Sequence, residues 1–202
     1  MALPQTVTLV TAEEYLAQEV LAEYKHAYID GVVVAMSGGS IQHSRIKTDL
    51  AMAIGRQLAG SDCEVFDSDL RVRVDARFYT YPDLIVVCGE AQLAPDGFDN
   101  LTNPTVLFEV LSPSTEAHDR GVKWSRYRQI PSLQQYVLVS QDKPLIEAYA
   151  RSGDVWTYTD ANGLDAAIEL VAIGVTLALG DVYARVTFEE DRSTGLNGEP
   201  RG

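Results

Sequence analysis

The 202-residue sequence lacks several features that would each assign it to a class of protein. No apolar run approaches the roughly 18 residues that a membrane-spanning helix needs. Cysteine is rare: Cys63 and Cys88 show no metal-ligand spacing, and we expect buried thiols rather than a disulfide. The first residues, MALPQTVTLV, carry neither a basic segment nor a following apolar run, so we expect no secretion signal and a cytoplasmic location.

Positive charge is also scarce, which limits how the chain could bind nucleic acid. Lysine and arginine number 16 against 29 aspartate and glutamate residues, and the net charge is −13. Electrostatic attraction to phosphate normally dominates nucleic-acid binding, so this balance opposes a general binding surface. A local exception is RGVKWSRYR, which holds Arg120, Lys123, Arg126 and Arg128. Contact with nucleic acid is therefore expected only at a local site.

Length and composition suit one globular domain. Hydrophobic residues make up 46% of the chain and charged residues 22%, which is ordinary for a soluble protein. A chain of this length can bury about 70% of its unfolded surface in a single core. We expect one domain over residues 1–188 and a disordered acidic tail over 189–202.

Two helices are predicted in the first third of the chain. The run TAEE, starting at Thr11, reads as a capping box, and apolar residues at helical spacing predict that this helix continues to the AspGly pair at 30–31. A strand, VVVAM, and the turn SGGS follow. Ser40 can cap a second helix that stops at Gly60, and its apolar residues repeat every four positions: Ile46, Leu50, Ile54 and Leu58.

After the second helix the pattern changes to strands. LRVRV alternates strictly, so we expect Arg71 and Arg73 on a solvated face. YPDLIVVC and PTVLFEVLS are near-continuous apolar runs, typical of central strands covered on both faces. A helix is predicted from Ser114 or Thr115 to Ile130, before the core strand LQQYVLVS. The segments PLIEAYAR, DVWTYT and IELVAIGVTLAL indicate an antiparallel extension, and the whole pattern predicts an α/β fold with a mixed sheet.

Two acidic residues stand in the apolar strands. Glu109 is the only charge in PTVLFEVLS, and burying an unpartnered carboxylate costs several kcal/mol. Asp83 follows Pro82 at the start of the other strand. If the two strands pair with both acids on one face, their oxygens can share a hard cation, which would keep two like charges ionised side by side.

A lysine is expected to reach the same place. Glu109 lies about 10 Å from the end of its strand at 3.3 Å per residue, and Lys123 lies about 12 Å into the following helix at 1.5 Å per residue. If the helix turns back along the sheet, the two residues meet at one height. Arg120 and Tyr127 share the helix face of Lys123 at spacings of three and four, so we expect them to bind substrate phosphate. Such a constellation favours phosphodiester hydrolysis.

Each of these assignments has a simpler alternative. Asp83 can cap nearby backbone amides, and Lys123 can lie on a solvated helix face. Glu109 can form a buried salt bridge to Arg71 or Arg73. These alternatives need no metal and no substrate.

His43 is a further candidate with two interpretations. It precedes Ile46 by three positions and Leu50 by seven, so it lies on the apolar face of its helix. We favour a packed histidine over a group that leans into the site as an accessory residue.

Several ordered motifs resemble one family. KHAYIDGVVVAMSGGSIQHSRI, DSDLRVRVDARFYTYPDLIVVC and FEVLSPST, followed by D, R, K, Y and then QQYVLV, are similar to the Uma-two family of restriction-type endonucleases, within the PD-(D/E)XK nuclease superfamily. The resemblance covers roughly residues 10–188. It is specific, because it rests on several motifs in order.

The resemblance implies a fold, a cofactor and a substrate. The fold is a restriction-endonuclease-like core, α-β-β-β-α-β, with a mixed sheet flanked by helices and here a C-terminal antiparallel β extension. Asp83 and Glu109 would be metal ligands with the backbone carbonyl of Val110, the metal would be magnesium or manganese, and the substrate would be DNA. Two positions depart from the pattern: Leu111 stands where the superfamily has its lysine, which makes Lys123 the candidate, and Ala27 replaces a common glutamate.

The predicted function is therefore metal-dependent hydrolysis of DNA by an endonuclease. The alternative is a catalytically silent nuclease fold that serves as a binding or dimerisation module, which Leu111, Ala27 and the acidic net charge favour. A glycoside hydrolase with two acids is weaker, because it leaves the basic helix unused. A homodimer is expected, since cutting both strands of a duplex favours two sites related by a twofold axis.

Overall fold

Apolar periodicity accounts for most elements of the computed structural model, which describes residues 8–36 and 38–188. The first part of the chain forms α1 (Ala12–Glu19), β1 (His26–Ile29), β2 (Val32–Ala35), α2 (Ile41–Leu58), β3 (Cys63–Asp67), β4 (Arg71–Asp75), β5 (Phe78–Thr80), β6 (Leu84–Cys88), β7 (Asn100–Leu101) and β8 (Val106–Leu111). The second part forms α3 (Glu116–His118), a π-helical turn (Asp119–Lys123), α4 (Trp124–Tyr127), β9 (Gln135–Ser140), β10 (Leu145–Ser152), β11 (Val155–Asn162), β12 (Ala167–Leu170), β13 (Val175–Ala178) and α5 (Leu179–Val182). The predicted tail at 189–202 lies outside the described residues.

A six-stranded mixed sheet, in the order β11-β10-β9-β8-β6-β3, forms the centre of the fold. β3, β6 and β8 pair antiparallel, while β8 and β9 pair parallel across the helical segment that joins them. The path α2-β3-β6-β8-helix-β9 is the predicted α-β-β-β-α-β core. β10 and β11 extend this sheet antiparallel, as predicted. The fold class is thus confirmed.

The alternation of side chains along β8 divides the core in two. Val106, Phe108 and Val110 belong to the apolar cluster that contains α2, and Leu107 and Leu111 belong to the cluster on the opposite face. Every residue of β8 is buried, as expected for a strand covered on both sides. Glu109 shares its face with Leu107 and Leu111 because side chains alternate with period two.

The N-terminal prediction was wrong in one respect. α1 ends at Glu19, and the chain then forms the hairpin β1–β2 instead of continuing as a helix to residue 30. Ile29 pairs with Val32, so Asp30 and Gly31 form a two-residue loop, and both have positive φ. An Asp-Gly pair between apolar runs is a strong hairpin signal, and here it outweighs the helical spacing.

The solvated face expected for β4 was also wrong. Arg71 is buried, and its guanidinium donates to the Asn100 side chain and to the Tyr81 hydroxyl. Arg73 is half-buried and pairs with Asp96. Both arginines lie on β4 of the separate five-stranded sheet, in the order β2-β1-β5-β4-β7, and their partners come from segments that sequence alternation alone does not place beside them.

The two cysteines form a disulfide, contrary to expectation. Cys63 on β3 lies directly opposite Cys88 on β6, and their sulfurs are bonded at 2.00 Å. The antiparallel register brings the two side chains together, and this pairing could not be read from their separation of 25 residues. In the described ranges, no helix has the length and apolar character to cross a membrane.

Candidate active site

The register of β6 and β8 brings the two predicted acids together. Leu84 pairs with Phe108, so Asp83 and Glu109 follow at the next opposed position. The Asp83 amide donates to the Phe108 carbonyl at 3.1 Å, and the Val110 amide donates to the Asp83 carboxylate at 2.8 Å. Both acids and Val110 line one cleft. The expectation that Asp83 and Glu109 face the same way therefore holds.

Lys123 and Tyr127 hold the buried Glu109 carboxylate. The Lys123 Nζ lies 2.8 Å from Glu109 Oε2, and the Tyr127 hydroxyl donates to Glu109 Oε1 at 2.9 Å. The glutamate is 2% exposed. The alternative partners Arg71 and Arg73 make their contacts elsewhere. Lys123 is therefore the partner of Glu109, as the residue count along the strand and the helix predicted.

A π turn determines which side chains of the following helix reach the cleft. The Trp124 amide donates to the Asp119 carbonyl, five positions back, within the segment from α3 to α4, here called the composite helix (116–127). Lys123 Nζ also lies 2.8 Å from Asp119 Oδ1. Asp119 is a buried second acid beside the lysine that sequence reasoning did not assign, although its spacing of four residues from Lys123 on a helix was an available signal.

Arg120 and Tyr127 do not take the position predicted for phosphate-binding residues. Arg120 bonds Glu116 and Glu147 and does not line the cleft. In a regular α-helix it would share the face of Lys123, but the wider π turn changes that relation. Tyr127 is fully buried behind Glu109, so its hydroxyl orients the carboxylate and does not reach a substrate.

Aromatic packing fixes the composite helix against the sheet. The Trp124 ring stacks on Tyr136 at 5.7 Å and on Tyr149 at 4.4 Å between centroids. The Tyr136 hydroxyl, inside the core, donates to the Asp119 carbonyl at 3.1 Å. This packing supports the π turn from the sheet side, so the Lys123 ammonium is held in position.

His43 leans into the site, so the favoured interpretation as a packed core histidine was wrong. Its Nε2 lies 3.2 Å from Asp83 Oδ2, and His43 lines the cleft. The Ser40 hydroxyl caps α2 by accepting from the His43 amide. A Cβ on Gly39 would lie 2.7 Å from His43 Nδ1, so the ring occupies space that only glycine leaves open.

The ionisable groups of the site differ in the direction in which their pKa values are shifted. Burial raises the pKa of the Glu109 carboxyl to about 8 despite the opposing Lys123 ammonium, and Asp119 and Asp83 add to the rise. Burial disfavours the charged form of Lys123, but Glu109 and Asp119 outweigh it and raise the pKa of the ammonium. Burial also disfavours ionised Asp83, yet hydrogen bonds from His43 and Val110 lower the pKa of that carboxyl. An ionised Asp83 accepts a hydrogen bond from the His43 Nε2–H group.

The donor set suits a hard divalent cation. The cleft has a volume of about 660 Å³ and presents the carboxylates of Asp83 and Glu109 beside the backbone of Val110. Among the described residues, no three or more His, Cys, Asp or Glu side chains form a ligand cage. Magnesium commonly binds one or two carboxylates and keeps several waters, so two carboxylates and one carbonyl fit it. Three acids, Asp83, Glu109 and Asp119, surround the single ammonium of Lys123. A bound cation would supply the further positive charge needed to neutralise them.

The core topology and the convergence of Asp83, Glu109 and Lys123 define a protein of the restriction-endonuclease-like fold. A family model named Uma2, with the description "Putative restriction endonuclease", matches residues 12–180. The chain belongs to this family.

Two proteins of Synechocystis sp. and one crystal structure from Anabaena variabilis are similar to this chain. "Uncharacterized protein slr1290" of Synechocystis sp. is 39% identical over 181 residues, covering 89% of this chain and 94% of that protein. "Uncharacterized protein sll1609" of the same organism is 33% identical over 171 residues, covering 84% and 97%. A crystal structure titled as a "putative nuclease belonging to DUF820" from Anabaena variabilis superposes with a TM-score of 0.69 at 19% identity, over 87% of this chain and 98% of the other. This last similarity concerns the fold.

Proposed function

We propose that the protein is a metal-dependent endonuclease that hydrolyses phosphodiester bonds in DNA. One observation carries the proposal: Asp83 and Glu109 from adjacent strands and Lys123 from the composite helix converge on one cleft, where carboxylates outnumber the ammonium. Membership of a family described as restriction endonucleases supports it. The nuclease superfamily lysine is absent at Leu111, which is buried in the core, and Lys123 takes its place beside Glu109.

We assign the metal ligands to Asp83, Glu109 and the Val110 carbonyl. Magnesium or manganese bound there would polarise the phosphodiester and lower the pKa of a bound water. The chain itself fixes these ligands. His43 and the Val110 amide hold Asp83, while Tyr127 holds one oxygen of Glu109.

Lys123 is the proposed catalytic cation. Its raised pKa keeps the ammonium charged through the neutral range, and the cleft exposes it to substrate. An ammonium in this position can neutralise charge that develops on the phosphoryl oxygens or orient the attacking water. Asp119, four residues earlier, is a second carboxylate 2.8 Å from the ammonium and so serves as a positioning residue.

Incubation with supercoiled and single-stranded DNA tests the proposal. With magnesium or manganese we expect cleavage that chelation abolishes and that Asp83→Asn and Glu109→Gln reduce by at least about 100-fold. Glu147→Gln is the matched control, because Glu147 is also a buried carboxylate but lies outside the cleft. Cleavage that survives Asp83→Asn would contradict the assigned site, and absence of cleavage under every condition would support the catalytically silent module. For cutting duplex DNA we propose a homodimer with two sites.

A further inference from the structure

A second charged site lies at the other end of the same cleft. Lys25 Nζ donates to the Ser68 carbonyl at 2.8 Å, and Lys47 Nζ donates to the Ser68 hydroxyl at 3.0 Å. Ser68 lies in the turn between β3 and β4, while the two lysines come from the segment before β1 and from α2. Three separate parts of the chain therefore bring two ammonium groups to one residue. All three residues line the cleft.

The two ammonium groups are only partly neutralised. Lys25 forms an ion pair with Asp69, whose side chain is 79% exposed. Lys47 is half-buried, and no carboxylate of residues 8–36 or 38–188 lies within ion-pair distance of it. Two like charges in proximity repel each other, so an anion bound between them would relieve that repulsion. Glu23 at the rim of the cleft opposes such an anion and offers a variant of opposite sign.

The geometry relates this pair of lysines to the candidate active site. His43 and Lys47 both face the cleft from α2 and are four residues apart, which is about 6 Å along a helix. Successive phosphates along one strand of DNA lie several ångströms apart, so a strand whose phosphate is at Asp83 would place another phosphate near Lys47 within about two nucleotides. Carboxylates are thus at one end of the cleft and amines at the other.

An aromatic side chain completes the amine end. Tyr24 lines the cleft next to Lys25 and is 73% exposed. Sites for single nucleic-acid strands combine cations for the backbone with exposed aromatic rings on which bases stack. A free phosphate or a phosphorylated protein would not use such a ring.

We propose that Lys25 and Lys47 form a binding subsite for a backbone phosphate of a polynucleotide, with a neighbouring base stacked on Tyr24. The identity of the ligand rests on the proposed nuclease function, and the subsite deepens that function by selecting a polynucleotide over a mononucleotide. It also explains how a chain with a net charge of −13 can hold a polyanion. The attraction is confined to one end of one cleft.

Equilibrium binding of a fluorescently labelled single-stranded oligodeoxynucleotide, in chelator and over a range of salt concentrations, tests the subsite. A plot of log affinity against log salt concentration has a negative slope, and each lost phosphate contact reduces the magnitude of that slope by about 0.7 on a single strand. We expect this loss in Lys47→Gln, its rescue in Lys47→Arg, and tighter binding by Glu23→Gln. Arg56→Gln is the matched control, because Arg56 is exposed in the last turn of the same helix and outside the cleft.

The outcomes separate the subsite from the nuclease function. Binding that depends on Lys47 without cleavage in magnesium or manganese would support the subsite and contradict the proposed function. Cleavage with an unchanged salt slope in Lys47→Gln would contradict the subsite alone. Absence of oligonucleotide binding, or displacement of the oligonucleotide by inorganic phosphate as effective as by unlabelled oligonucleotide, would also overturn it.

Discussion

Arg120 and Lys123 are three residues apart on the composite helix, yet their surroundings differ in kind. Arg120 is one-third exposed and bonds Glu147, whose pKa is lowered by the hydrogen bonds from Arg120 and Tyr158 despite its burial. Lys123 is buried beside Glu109, whose pKa is raised by burial despite the ion pair. The first cluster stabilises its carboxylate and the second does not. A buried acid whose ionised form is disfavoured by its surroundings is a candidate for a functional site.

The largest expected difference between the two cations is in catalysis. Lys123→Met should reduce the rate of DNA cleavage by at least about 100-fold, because the proposed catalytic ammonium is lost. Arg120→Met should change that rate by less than about threefold, because Arg120 does not line the cleft. Single-turnover cleavage of a plasmid measures both. Equal losses in the two variants would show that the comparison is wrong.

The second largest expected difference is in the stability of the Lys123→Met and Arg120→Met variants. Lys123→Met leaves Glu109 and Asp119 buried without their cation and should lower the free energy of unfolding by about 3 kcal/mol. Arg120→Met removes two partly solvated ion pairs, to Glu116 and Glu147, and should cost about 1 kcal/mol. Urea denaturation at neutral pH gives both values. A larger loss in Arg120→Met would contradict the ranking.

The two carboxyls should also respond to pH in opposite directions. The pKa of Glu109 rises from 4.5 to about 8 on folding, so the folded state binds the extra proton and its stability falls as pH rises through that window. The pKa of Glu147 is lowered, so its contribution is present above 4.5 and is lost as pH falls through its folded value. Urea denaturation from acidic to alkaline pH, in chelator, checks this. Glu109→Gln should remove the loss of stability between about pH 4.5 and 8, and Glu147→Gln should remove the loss at acidic pH.

The smallest effect should come from the α2 wall of the cleft. Gly39→Ala places a Cβ 2.7 Å from His43 Nδ1, so the ring must move away from Asp83. We expect the cleavage rate to fall about tenfold with little loss of stability, comparable to His43→Ala. Gly38→Ala is the matched control, because nothing lies within 4 Å of its Cβ. Similar activities in the two alanine variants would mean that the His43–Asp83 contact is unimportant.

The periodicity of apolar residues and the rise per residue of strands and helices made much of the candidate site predictable from the sequence. The near-continuous apolar runs identified the two central strands, and counting residues along strand and helix placed Lys123 beside Glu109. Orientation within the helix was not predictable. A π turn depends on how Trp124 and Tyr136 pack against the sheet, and no local pattern reports that packing. Arg120 was therefore assigned to the wrong face.

Contacts between segments that are distant in the chain could likewise not be predicted from the sequence. His43 lies at apolar spacing on α2, and only the tertiary structure shows that its ring contacts Asp83. Lys25 and Lys47 are 22 positions apart and meet only because Ser68 binds both. Such groupings depend on tertiary packing, which periodicity does not encode.

Manganese-dependent stabilisation is the most direct test of the claim that Asp83 and Glu109 form a cation site. A ligand at 100 times its dissociation constant stabilises the folded state by about 2.7 kcal/mol. We predict that manganese chloride raises the thermal unfolding midpoint of the wild type and of Glu147→Gln, but not of Asp83→Asn or Glu109→Gln. No shift in the wild type, or an equal shift in all four proteins, would contradict the account.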